Sequence, residues 1–187
     1  MKKWIALLLV VTLTLSVTAC GRKKTQPTDS AGTTEQNQQK TPLTGTMEAN
    51  VNKIMEQNPV EFMGGQQSVD VQGTTEEGLW ALKGFTGLDS PEKIKDIAVY
   101  EPMTGSQAFS LVLVRVKNPA DAKTIAQQMK DNIDPRKWIC AMADQIMAAG
   151  YEDVVMFVML DSQLGKTAQS YVDTFRTLCG GNLDFTI

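Results

Sequence analysis

The chain has 187 residues, 42% hydrophobic and 21% charged, a balance that excludes a disordered polyelectrolyte and a polytopic membrane protein and suits one domain with appendages. It contains no histidine, which removes imidazole bases, imidazole-activated nucleophiles and imidazole metal ligands. Lys and Arg number 18 against 21 Asp and Glu, a net charge of -3 and the wrong sign for a nucleic-acid binder that works by neutralising phosphate.

Lys2 and Lys3 make a basic start, Trp4 to Leu15 an apolar run, and Ser16 to Gly21 a small-residue region, the three parts of a secretory signal. As a helix the apolar run spans about 18 Å, well short of a hydrocarbon core of roughly 30 Å, so a permanent membrane span is the weaker reading. Val17-Thr18-Ala19-Cys20 closely resembles the bacterial lipobox, with Thr18 standing where Ala or Ser is commoner. The resemblance implies a signal peptide over residues 1–19, cleavage before Cys20, and diacylglycerol on the Cys20 sulfur. The mature chain is then a lipoprotein on the outer face of a bacterial cell membrane. One acyl chain binds membranes marginally, whereas two, at about 0.8 kcal/mol per buried methylene, hold for good. Arg22, Lys23 and Lys24 follow, where each either adds roughly 1 kcal/mol of attraction to anionic headgroups or simply begins a solvated linker.

Residues 20–46 read as a lipidated tether. From Thr25 to Thr46 the only apolar members are Ala31 and Leu43, too few to offset ordering entropy by burial. As a random coil this leash spans about 26 Å on average.

Residues 47–187 form one domain with 12 basic and 19 acidic side chains, a charge of -7 against +2 for residues 20–46. Its acidity disfavours nucleic acid, anionic lipid and polyanionic wall polymers as partners. Met47, Val51, Ile54 and Met55 recur at helical spacing after Thr46, and Asn58-Pro59 stops the run. Thr74-Thr75-Glu76-Glu77 has capping-box spacing before a short helix carrying Leu79, Leu82 and Phe85, interrupted at Gly84 and Gly87. After Ser90-Pro91, Ile94 to Tyr100 turns β-branched, and Met103-Thr104-Gly105-Ser106 reads as a turn. Phe109 to Val116 is the strongest strand signal, apolar on both faces and so central in its sheet. Asn118-Pro119 opens a helix bearing Ala122, Ile125, Ala126 and Met129 that Asp134-Pro135 closes. Trp138 to Met147 and Val154 to Leu160 read as a second pair of strands, and Ser162 to Leu178 as a last helix. The order α-α-β-β-α-β-β-α predicts an α+β fold with a mainly antiparallel sheet built from two hairpins, each followed by a helix, the helices on one face.

The Gly87-Leu88-Asp89 segment, the strand at Ile97 to Tyr100, Gly105-Ser106 before a long strand, the Asn118-Pro119 helix and the second hairpin and helix together resemble an uncharacterised domain of small lipoproteins from Firmicutes, chiefly clostridia. The likeness covers roughly residues 47–175. It implies architecture and address, and no catalytic site.

Candidate chemistry is sparse. Leu164-Gly165-Lys166-Thr167 has the end of a phosphate-binding loop, but Leu160 stands where such a loop needs its first glycine. A helix start with a solvated lysine accounts for it. Cys140 and Cys179 are the thiols outside the anchor. In an exported chain they could close a disulfide worth about 4 kcal/mol on loop entropy, or each could be a small buried hydrophobe. Met156 and Met159, like Met142 and Met147, are spaced on strands so as to face opposite sides, which argues for core packing over copper(I) ligation. Glu76 with Glu77, Asp131 with Asp134, and Glu152 with Asp153 each suit a helix end or a turn.

No cofactor and no metal are expected. The function predicted is a lipid-anchored extracytoplasmic binding or interaction module, held by a diacylglyceryl anchor and meeting an envelope protein. A small envelope hydrolase is the alternative, favoured by a cleft holding two carboxyls. An importer's binding lipoprotein is another, favoured by a pocket lined by Trp80, Trp138 and Tyr100.

Overall fold

A computed structural model of the chain describes residues 42–72 and 75–187. The signal segment, Cys20 and the tether as far as residue 41 lie outside the described residues, as do Gly73 and Thr74. No helix among the described residues is long and apolar enough to cross a membrane.

The fold is α+β. Four helices, α1 (Met47–Gln57), α2 (Glu76–Thr86), α3 (Ala122–Asn132) and α4 (Ala168–Leu178), accompany six strands, β1 (Gly64–Gln67), β2 (Ile94–Pro102), β3 (Phe109–Val116), β4 (Gln145–Tyr151), β5 (Val154–Leu160) and β6 (Phe185–Thr186). The strands form one antiparallel sheet in the order β1-β2-β3-β5-β4-β6. β3 and β5 hold the middle, as their unbroken apolar sequences require, and every residue of β5 is buried.

The helices do not share one face, contrary to the sequence expectation. Met47, Val51 and Ile54 of α1 and Tyr171, Val172 and Phe175 of α4 pack with Phe109, Leu111 and Leu113 of β3 and Met156 and Val158 of β5. The alternate residues Val112, Val114, Val155, Phe157 and Met159 face the opposite way, against Leu82 of α2 and Ile125, Ala126 and Met129 of α3. The physical reason lies in the central strands themselves. A strand apolar on both faces cannot leave one of them in water, so each face takes a helical layer.

Local chemistry sets the element ends. Thr46, Thr75 and Thr167 cap α1, α2 and α4 by accepting from the backbone N–H of Ala49, Gly78 and Ser170. Thr167 thereby fills the helix-start role rather than a phosphate-binding one. Gly84 does not interrupt α2, which runs on to Gly87 at φ 73°, where a Cβ would meet the backbone N of Ile133 at 2.7 Å.

The predicted strand from Trp138 is displaced. β4 begins only at Gln145, because Trp138 is buried as a plug in the α2/α3 core and Ala143 N donates to Pro135 O at 2.9 Å, closing a loop. Ser162 donates from Oγ and from its backbone N to the Asp144 carboxylate, at 2.5 and 2.8 Å, tying the loop's far end to the turn after β5. Those bonds hold the Asp144 carboxyl below the usual carboxylate range.

The described chain enters at the end of the sheet where β3 finishes. Leu43 is buried under α1, and Arg115 Nη2 donates to Leu43 O at 2.6 Å while its Nη1 lies 3.6 Å from Asp153. Asn50, wholly buried, donates to Thr44 O at 2.9 Å and Thr46 O at 3.0 Å. Leu43, an isolated apolar residue in a polar tract, is therefore the point at which that tract is stitched to the domain.

Candidate functional site

The opposite end of the sheet, where β2 finishes and β3 begins, gathers most of the large apolar side chains that the described residues leave in water. Met63 is 77% exposed, Met103 68%, Ile139 90% and Met142 47%, although such residues are ordinarily buried. Two backbone hydrogen bonds and one close approach bring them together. Met103 N donates to Met63 O at 2.9 Å, just beyond the β1–β2 ladder, and Cys140 N donates to Gly105 O at 3.1 Å. A Cβ on Gly105 would lie 3.3 Å from the Ile139 side chain. Met142 stands two residues beyond Cys140 on the same loop. Trp80, 78% exposed, is on α2.

Beneath this surface sits a charged strut. Lys137 Nζ donates to Glu101 Oε1 at 2.5 Å and to Gly84 O at 3.1 Å, with side chains only 16% and 11% exposed. The ammonium lies 5.2 Å from the Phe85 ring centre and 5.3 Å from that of Trp138. Burial pushes the Lys137 pKa below its ordinary value, while the Glu101 carboxylate and, more remotely, Asp134 push it back up. A buried amine with a lowered pKa is a recurrent mark of covalent chemistry. Here its protons are directed at a carboxylate, a helix carbonyl and two rings, so it joins α2, β2 and the loop after α3 as a brace.

The residues singled out in the sequence are dispersed. Tyr100 packs in the α1/α4 core and Trp138 in the α2/α3 core, with Trp80 in solvent, so the three do not line one pocket. Glu76 and Glu77 occupy the first turn of α2. Asp131 accepts from Gln127 Nε2 at 2.8 Å, and Asp134 from Arg136 N at 2.8 Å. Glu152 and Asp153 make the β4–β5 turn and line a cavity of about 190 Å³ with Pro42, Lys95 and Lys117. That volume is below the roughly 300 Å³ at which ligand pockets begin, and Pro42, just before the stitched Leu43, forms part of its wall. Met156 and Met159 face opposite cores, as their spacing requires. Met142 is on a loop, not a strand. No group of three or more Cys, Asp or Glu that could hold a metal occurs among the described residues.

Cys140 and Cys179 are both free thiols, so the disulfide is not formed. Cys140 is exposed on the loop rather than on a strand, while Cys179 is buried in the α1/α4 core, on the other side of the sheet from the loop's plug Trp138. Burial, and next the charge of Asp184, push the Cys179 thiol up to about 12. Its folded pKa thus lies above the unfolded one, so its contribution to stability is whole below the ordinary thiol value and is lost as pH rises toward 12. In the full chain carrying Cys20→Ala, a thiol reagent at pH of about 8 should modify Cys140 rapidly and Cys179 only after denaturation. Equal native rates at both would contradict this placement.

Lys137 and the exposed methionines are hidden from a sequence reading for different reasons. The strut joins residues far apart in sequence, and no spacing rule signals it. The methionines do carry a signal, since Met103 sits in a predicted turn, where an apolar side chain has little to pack on. No known protein family, no curated protein and no solved structure matches the chain.

Proposed function

We propose that the chain is a lipid-anchored extracytoplasmic binding lipoprotein, of the kind that its likeness to small clostridial lipoproteins implies, tied by Cys20 to the outer face of a bacterial cell membrane. The end of the sheet bearing Met103 and Ile139 meets an envelope protein. One observation carries the reading: the leash joins the domain at one end of the strands, and the exposed apolar side chains collect at the other. The eight residues of β3 separate these ends by roughly 25 Å at 3.4 Å per residue. A tethered domain with this arrangement can turn its apolar end away from the bilayer. Exposed apolar groups of this size, set together, are the usual mark of a surface that meets another macromolecule.

Cross-linking in intact membranes tests the reading. Wild type is expected to capture a defined protein that the Ile139→Asp/Met103→Asp form loses while remaining folded and membrane-bound. The same captured set from both forms, or a co-purifying small molecule in place of a protein, would overturn it.

A further inference from the structure

The sheet has two edges among the described residues, and they are unequal. β6 contributes two residues, whereas β1 contributes four and lies at the other end of the strand order. Edge strands are ordinarily guarded by charge, proline or a bulge. From Phe62 to Ser68 the chain has no charged residue and no proline, and the β1–β2 register runs unbroken from Gly64–Pro102 to Gln67–Val99. That register sets Met63 opposite Met103, and the bond from Met103 N to Met63 O marks them as a hydrogen-bonded pair. Antiparallel pairs alternate, so Gly65 and Gln67 also bond inward to β2, while Gly64 and Gln66 turn their N–H and C=O groups outward from the sheet. The edge is held ready, because Gln66 Nε2 donates to Asn52 Oδ1 at 2.7 Å and to Glu48 O at 3.0 Å and so pins β1 to α1. At Gly65 a Cβ would meet nothing within 4 Å, which leaves the backbone open to close approach.

Outward backbone groups in this pattern take up an extended strand, and β1 complements itself. A second β1, antiparallel and related by a two-fold axis through Gly65, pairs Gly64 of each chain with Gln66 of the other and closes two N–H···O bonds in each pair. The axis sets Gly65 opposite Gly65, where bare backbones approach most closely, and Met63, 77% exposed, opposite Gln67 of the other copy. Glu61 then falls opposite Val69, and Asp70 opposite Val60, so like charges do not face each other across the seam even though the domain is acidic. We propose that the chain forms a two-fold symmetric dimer through β1, in which two six-stranded sheets become one. A four-residue seam is small beside the roughly 1,200 Å² of a stable interface, so the dimer is a weak one that fills at high local concentration. The contact uses neither Met103 nor Ile139 and stands apart from the envelope-protein reading.

The test uses the full chain carrying Cys20→Ala and Cys140→Ser in density-matched non-ionic detergent. Sedimentation equilibrium should show the mass rising from one chain toward two as the concentration approaches about 0.5 mM. Gly65→Lys, which sets two ammonium groups face to face on the axis at a position with room for a side chain, should remain monomeric with an unchanged circular dichroism spectrum. Trapping gives a readout that needs no charge. A non-hydrogen-bonded antiparallel pair has its Cα atoms about 4.5 Å apart, within disulfide reach, so mild oxidation should link Gly65→Cys at least about 10-fold faster than Ser68→Cys, which lies next to the seam and away from its own mate. A chain that stays monomeric throughout, a Gly65→Lys form that associates like its parent, or equal linking at the two cysteines would each overturn the proposal. Association that Ile139→Asp/Met103→Asp abolishes would also overturn it, by placing the contact at the apolar end; a dimer kept in that form while protein capture is lost separates the two inferences.

Discussion

Phe109→Ala should lower the stability of the domain by about 4 kcal/mol, toward the upper end of what a single core truncation costs. Phe109 opens β3, is fully buried, and stands at the centre of an aromatic group with Tyr171 at 5.3 Å, Phe62 at 5.5 Å and Tyr100 at 6.2 Å between ring centres. Those neighbours come from α4, the segment before β1, and β2, so the cavity opens where three elements meet and none can collapse into it alone. Tyr171 would be affected in turn. Its hydroxyl donates to Asn58 O at 3.4 Å, and burial holds its pKa well above the ordinary tyrosine value. With a total stability of about 5–15 kcal/mol for such a domain, this loss is a large fraction, visible as a fall in Tm of roughly 10–16 °C. Met103→Ala, at the same end of the sheet but exposed, should change stability by no more than about 0.5 kcal/mol. Calorimetry of both variants checks the contrast, and equal effects would show that the apolar end is part of the core.

The second large effect concerns the strut. Lys137→Met leaves the Glu101 carboxylate buried without its partner and should cost about 3 kcal/mol, the lower end of the range because both groups keep a little exposure. Glu101→Leu should cost a similar amount by stranding the ammonium. The double variant should return to within about 1 kcal/mol of wild type, since a well-packed apolar pair carries no desolvation cost. The pH dependences separate the two single variants. In Lys137→Met the buried carboxyl acquires a raised folded pKa, so its deficit shrinks as pH falls and the group takes a proton. In Glu101→Leu the ammonium, already lowered by burial, drops further, so that deficit shrinks as pH rises. Chemical denaturation across pH measures all three. A double variant as unstable as either single one would mean that the pair is held by geometry that apolar side chains cannot replace.

How much of this was legible in the sequence depended on where the determining contacts lay. The helix start after Thr46 and the strand over Phe109–Val116 are local patterns, and the structure follows them, whereas the last helix begins at Ala168 and not at Ser162, because Ser162–Leu164 form a separate 3-10 turn ended by Gly165. The same strand held the evidence for two helical layers, because Leu111 and Val112 cannot both be covered from one side. β1 was not readable. Gly-Gly-Gln-Gln has no strand propensity, and it is extended because β2 offers a free edge to pair with. β6, only two residues long, is seated because Phe185 lies over Gly150, where any Cβ would collide with its ring. The loop before β4 misled for the opposite reason, since Trp138 and Ile139 are both large, strand-favouring side chains and differ completely in burial. Exposure is decided by neighbours distant in sequence, and for that reason the apolar end of the sheet, signalled in the sequence only by Met103 in its predicted turn, was assembled by the fold.

The proposed address and role both depend on a proposed attachment at a single sulfur, that of Cys20. Intact-mass and peptide mass spectrometry of the native protein, extracted from membranes of the cells that make it, measures it directly. The expected result is an amino terminus at Cys20 with a diacylglyceryl group on its sulfur. An unmodified Cys20 thiol, or a mature chain that begins elsewhere, would contradict both the address and the role assigned to the domain.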